Sequence, residues 1–173
     1  MNVDEMKYVK ISEDPEYKNL LRLCYEYAYK SNHPSTHNAA LLVEGGKVKA
    51  WGINTLPPGV ENRKERFEGK NKHIYPNHAE RDAIYKAARE GVKTEGLEMV
   101  MPWLPCIPCA NAIITSGIKR LICHKQMIEK TDEKWVEELE EALELLKEAG
   151  VEVVAYDGKV GAKAYMHGEE WDA

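Results

Sequence analysis

Apolar residues recur along this chain with two periods, and the switches between them mark out its elements. Asp14-Pro15 reads as a capping side chain followed by proline at the first helical position. Tyr17, Leu20, Leu21, Cys24, Tyr27 and Ala28 then follow at the spacing of one helix face. Residues 38–43 and 48–53 are apolar runs separated by Glu44-Gly45-Gly46-Lys47, whose glycines allow the positive φ of a tight hairpin. Helical spacing returns from Ala79 through Ala83, Ile84 and Ala87 to about residue 90, and Gly91 ends it. Short strands are predicted over residues 97–101 and 119–124, on either side of a helix over 106–116 that stops at Gly117. The clearest helix covers 131–149: Trp135, Leu139, Ala142, Leu143 and Leu146 share one side, and glutamates on the other form a solvated face. Gly150 ends it, and residues 151–156 read as a fifth strand.

Two stretches resist this reading. Residues 54–77 carry Pro57, Pro58, Gly59, Pro76 and a charged run over 61–72 without a sustained period, which predicts a long loop, either a binding lid or a solvated excursion. After residue 156, Gly158, Gly161 and Gly168 leave a tail of unspecified structure. The order α-β-β-α-β-α-β-α-β predicts an α/β fold, a three-layer α/β/α sandwich around a five-stranded mixed sheet. Its hairpin supplies the antiparallel pair, and later strands run parallel, so that successive helices begin near one sheet edge. With 173 residues and no linker-like break, residues 1–173 are expected to form a single domain.

Composition narrows the partners. A formal net charge of −5 opposes the broad phosphate-neutralising footprint of a polynucleotide binder and favours a small-molecule ligand. Residues 1–6 have neither a basic flank nor an apolar core, and no run approaches membrane-spanning length, so a cytoplasmic protein without a membrane partner is expected. Four cysteines, two of them close together, do not make a disulfide framework. Those two belong to Pro105-Cys106-Ile107-Pro108-Cys109, and upstream lies His78-Ala79-Glu80. His78, Cys106 and Cys109 offer three zinc ligands, each at a predicted helix start, where the positive helix end favours thiolates. Three protein ligands leave one position for water, as catalytic zinc sites do, and Glu80 is an unligated carboxylate placed to move protons. His-x-Glu with Pro-Cys-x-x-Cys is the pattern of zinc nucleobase deaminases.

The chain resembles the cytidine and deoxycytidylate deaminase superfamily, and most closely its deoxycytidylate branch. Besides the two metal segments, residues 35–43 look like that branch's first strand, and Gly52-Ile53-Asn54 with Pro57 and Gly59 looks like its sugar-contacting loop. Ile113 and residues 117–121 look like the stretch after the second metal segment. The resemblance implies zinc (Zn2+) held by His78, Cys106 and Cys109, with Glu80 shuttling protons as a zinc-activated water adds to cytosine C4. It implies Asn54 against the deoxyribose, the Ala79 backbone against the pyrimidine edge, dCMP as substrate, and a homo-oligomer of two to six subunits. Two positions depart from the branch. Asp82 stands where Asn is usual and is read as structural, and Thr55 stands where regulated relatives carry Gly, so regulation by nucleotides is not carried over. The alternatives to dCMP are another cytosine nucleotide, such as dCTP or a 5-substituted dCMP, and a zinc-stabilised binding protein without catalysis.

Other residues admit two readings. Arg63, Lys64 and Arg66, with Lys70, Lys72 and His73, occupy the long loop and suit a nucleotide phosphate, although a solvated loop is also charged. Tyr75 and Trp103 flank the metal segments and suit base stacking or core packing equally. Cys24 and Cys123 fit the core better than a second metal site. His33 and His37 flank Pro34 in a turn, and a surface position is expected for both.

Overall fold

The computed structural model describes all residues from Met1 to Ala173. Asp14 accepts the Glu16 N–H through its side chain and Pro15 takes the first position of helix α1 (Pro15–Ala28), as the sequence predicts. β2 (Ala39–Glu44) and β3 (Lys47–Ile53) form the antiparallel hairpin, turning at Gly45 and Gly46 with φ of 55° and 74°. Then come α2 (Ala79–Glu90), β4 (Glu98–Val100), α3 (Ile107–Thr115), β5 (Arg120–His124), α5 (Glu133–Glu148) and β6 (Glu152–Tyr156), with a short helix α4 (Lys125–Glu129) after β5. No helix is long and apolar enough to cross a membrane.

The sheet has six strands, not five. β1 (Val9–Ser12) runs parallel to β6, from Val9 opposite Val153 to Ser12 opposite Tyr156, and gives the order β1-β6-β5-β4-β2-β3. Only Val9 in β1 is buried and Ile11 is exposed, so the segment lacks the apolar alternation that marks a strand. The open edge of β6 supplies the pairing that its own pattern does not announce. The tail is likewise structured: β7 (Lys163–Met166) and β8 (Glu169–Asp172) make a second, two-stranded sheet. Their turn places His167 at φ 56° and Gly168 at φ 84°, a left-handed pair that His-Gly signals less plainly than Asn-Gly does. The tail is tied to the body through buried His124, whose ring nitrogens meet Tyr25 Oη at 2.7 Å and the Gly158 carbonyl at 3.0 Å. Trp171 of β8 stacks on the same imidazole.

Strand side chains alternate between two cores. Ala40, Leu42, Met99, Leu121, Cys123 and Val153 face α2, α3 and α5, while Ala39, Leu41, Val43, Val100 and Ile122 face α1 and the tail. The three-layer architecture follows, with the tail hairpin completing the layer of α1. Cys24 and Cys123 are fully buried in these cores. Because β2 is antiparallel to both β3 and β4, those two strands share a direction, and α2 and α3, which follow them, begin at the same sheet edge.

Candidate functional site

The first donor of each metal segment caps a helix without a side-chain capping bond. His78 precedes α2 with extended backbone (φ −71°, ψ 153°), and Cys106 precedes α3 in the same way (φ −69°, ψ 167°) with Pro108 in the first turn. The first N–H groups of both helices thus point their positive ends at the site. His78 Nδ1 lies 3.4 Å from Cys106 Sγ and 3.6 Å from Cys109 Sγ, and the three donor atoms all lie within 4.8 Å of one another. A tetrahedral ion with nitrogen and thiolate ligands at ordinary bond lengths sets such atoms about 3.6 Å apart, so these separations match edges of a coordination polyhedron. The two thiols share a single negative charge: the Cys106 thiol is drawn well below its ordinary value, chiefly by the hydrogen bond from Cys109 and, against the opposing effect of burial, also by His78, while the Cys109 thiol is pushed up by that same bond and by burial.

Glu80 is 3 % exposed, and its Oε2 has no hydrogen-bond partner in the protein. Burial raises its pKa above the ordinary carboxylate value, opposed by the nearby His78. An orphaned carboxyl oxygen beside three soft donors is a costly arrangement for a merely structural clip, and it fits a metal centre with a proton-moving group at its side.

The position of this cluster depends on how the loop over 54–77 closes. Thr55 and Asn77 exchange backbone hydrogen bonds of 3.2 and 2.8 Å, so Asn54 and His78 emerge side by side. Asp82, buried on α2, accepts the Ile53 N–H at 3.0 Å and pairs with Lys86 at 2.7 Å, which locks the end of β3 to the helix. That is the structural role expected for the aspartate. Gly52 permits the approach: a Cβ there would lie 2.2 Å from the Ala83 backbone nitrogen and 2.3 Å from the Ala79 carbonyl oxygen.

A cavity of about 250 Å³ opens over the cluster. Of the sequence-predicted residues, His78, Ala79, Glu80, Cys106, Asn54 and Trp103 line it, and Cys109 is buried beneath. Trp103 donates its indole N–H to Thr131 Oγ1 at 2.8 Å, which fixes the ring in the wall. Asn54 ties the opposite wall together, accepting the Asn38 N–H at 2.8 Å and donating to the Thr36 carbonyl at 2.7 Å. Arg63, Lys64, Arg66 and Tyr75 do not line the cavity. Arg63 pairs with Glu61, Lys64 with Glu68, and Arg66 donates to the Glu61 carbonyl while its guanidinium lies over half-exposed Tyr75. Of the loop's basic residues, Lys72 and His73 reach the wall.

Sequence reasoning missed Lys134, Trp135 and Leu139 of α5 and His167 of the tail, which also line the cavity. The apolar stripe accounted for Trp135 and Leu139 as core, and nothing local distinguishes Lys134 or His167 from solvated residues. His33 is a correction: it is 7 % exposed, not on the surface, and lines the cavity. His37 is half-buried between Tyr29 and Tyr165.

Comparison with known proteins agrees with this geometry. The family described as "Cytidine and deoxycytidylate deaminase zinc-binding region" matches residues 14–125. A protein of Aliivibrio fischeri named as an uncharacterized deaminase in the luxG 3' region is 32% identical over 71% of this chain and 81% of its own length. The deoxycytidylate deaminase of Enterobacteria phage T4 is 30% identical over 75% of this chain, which spans 64% of the phage protein. The dCMP deaminase of cyanophage S-TIM5, solved with dCMP and dUMP, shares the fold with a TM-score of 0.66 at 21% identity, over 84% of this chain and 100% of that one. The chain belongs to the cytidine and deoxycytidylate deaminase family defined by that zinc-binding region.

Proposed function

We propose that this protein is a zinc-dependent hydrolase that converts dCMP and water to dUMP and ammonia. The observation that carries the reading is the orphaned Glu80 carboxyl oxygen beside His78, Cys106 and Cys109, in a cavity that Lys72 and Lys134 also line. Zinc held by His78, Cys106 and Cys109 would supply a water acidic enough to act as a nucleophile at neutral pH. Glu80 takes a proton from the attacking water and passes protons to the ring N3 and to the departing amine. A new C4–O bond forms, the C4–N bond breaks, and ammonia leaves. Burial supports this role, since a desolvated carboxyl holds a proton more readily than an exposed one. The Ala79 N–H opens α2 without an acceptor in the helix and is free to bond the pyrimidine edge. Trp103, next to the second metal segment, brings flat apolar surface to the cavity for the base.

The choice of a monophosphate is supported by Lys72 and Lys134 and by relatives named deoxycytidylate deaminases. An ultraviolet deamination assay over dCMP, dCTP, deoxycytidine and cytosine tests it. The expected result is the highest kcat/KM for dCMP. Preference for deoxycytidine would remove the phosphate from recognition, and preference for dCTP would move the assignment to the triphosphate.

A further inference from the structure

We infer that His33 recognises the sugar of the bound ligand, with its Nε2–H donating to the 3′-hydroxyl of a 2′-deoxynucleotide. This rests on the nucleotide reading above and extends it to a residue outside both metal segments. The cavity lining combines three chemistries: His78, Cys106 and Glu80; the cations Lys72 and Lys134; and a neutral polar wall that includes His33, Asn38 and Asn54. His33 and Asn54 are neighbours in that wall, since Ser31 Oγ accepts the His33 N–H and donates to the Asn54 carbonyl. Both amide oxygens of that wall are already committed. Asn54 holds the backbone at positions 36 and 38, and Asn38 Oδ1 accepts the Ala39 N–H at 3.1 Å.

His33 has one committed nitrogen and one free. Its Nδ1 faces the backbone N–H groups of Ser35 and Thr36 and the Ser35 hydroxyl, each at 3.3 Å. An imidazole nitrogen that accepts from backbone donors carries no hydrogen, so the hydrogen resides on Nε2. No protein group accepts from Nε2, Phe67 packs edge-on against the ring, and the side chain is more than nine-tenths buried in a residue that lines the cavity. Burial, and then the charge of Lys72, lower its pKa to about 4, which keeps the ring neutral and offers a phosphate no charge. Lys72, His37, His73 and His78 all act on the ring, so it lies near both a cavity-lining cation and the first metal segment. In a nucleotide the sugar stands between phosphate and base. A 2′-deoxynucleoside 5′-monophosphate has one free hydroxyl, at C3′, and a neutral buried donor suits a neutral oxygen.

The test is a binding cycle with the full-length metal-loaded protein, titrated calorimetrically with dUMP and with 2′,3′-dideoxyuridine 5′-monophosphate. Asn at position 33 keeps an acceptor where Nδ1 stood and deletes the outer donor. Gln supplies a donor near Nε2 and gives up that acceptor. Wild-type protein and His33→Gln should prefer dUMP, and His33→Asn should lose about 3- to 10-fold of that preference, the range for one neutral hydrogen bond. An unchanged preference in His33→Asn overturns the inference, as does a preference lost in His33→Gln and kept in His33→Asn, which would make the histidine a brace for its turn. dCMP turnover by the wild-type protein, measured in parallel, reports on the proposed reaction separately, so dUMP binding without turnover would defeat that reading and leave the sugar contact standing.

Discussion

Burial acts in opposite directions on the pKa values of Glu80 and His33, yet both shifts favour the neutral form. The carboxyl is raised and the imidazole lowered, because an interior resists whichever form is charged. For Glu80 the consequence is chemical. Glu80→Gln keeps the shape of the side chain and the three metal donors, so zinc content measured by atomic absorption should equal wild type while turnover falls by about 10²- to 10⁴-fold. For His33 the consequence is a pH dependence of stability. The unfolded chain protonates this group near 6.5 and the native protein only near 4, so between those values the unfolded state binds more protons. The contribution is complete above about 6.5 and is lost as the pH falls toward 4. The melting temperature should drop on acidification through that window, and His33→Asn should make the drop shallower. The contrast also explains what was legible. His78, Glu80, Cys106 and Cys109 could be read from sequence because each pair lies within one helical turn, where spacing sets geometry. His33 and Asn38, Lys72, Lys134 and His167 come from four separate segments and meet only through the fold.

Helices and strands were legible where one element has one buried side. The stripe of α5 and the caps of α1 and α2 are properties of the segments themselves, and the structure reproduces them within a residue or two. β1 and the β7–β8 hairpin are not. β1 is a strand because β6 has a free edge, and the hairpin is ordered because His124 and Trp171 hold it against the sheet. The packing of α2 on β3 lies between these cases. Ala79, Ala83 and Ala87 give the helix a face of small residues with no exposure, and Gly52 lets the strand meet it. Adding one methyl group at Gly52 would meet backbone, which cannot rotate away. Gly52→Ala should therefore lower unfolding stability by at least the roughly 1–3 kcal/mol typical of overpacking, measured by urea denaturation. Weaker zinc binding should accompany it, since His78 moves with the start of α2. Stability within error of wild type would show that the helix has room to shift.

At the scale of the molecule, both cores share one sheet, and neither can be exposed without stripping side chains from the same strands. Unfolding is expected as a single transition, with tryptophan fluorescence and far-ultraviolet circular dichroism coinciding across a denaturant titration. Separate transitions would mean that the tail and α1 layer, or the α2, α3 and α5 layer, melts alone. The same sheet divides labour along the chain. The proposed reactive groups sit in the first turns of α2 and α3, while Lys72, Lys134 and His167 line the same cavity from elements with other anchors. On the proposed reading, chemistry and selectivity can therefore vary independently. A library randomised at positions 72, 134 and 167 leaves His78, Cys106, Cys109 and their supporting helices untouched, so descendants of this scaffold could change ligand preference step by step without passing through a form that has lost its donor cluster.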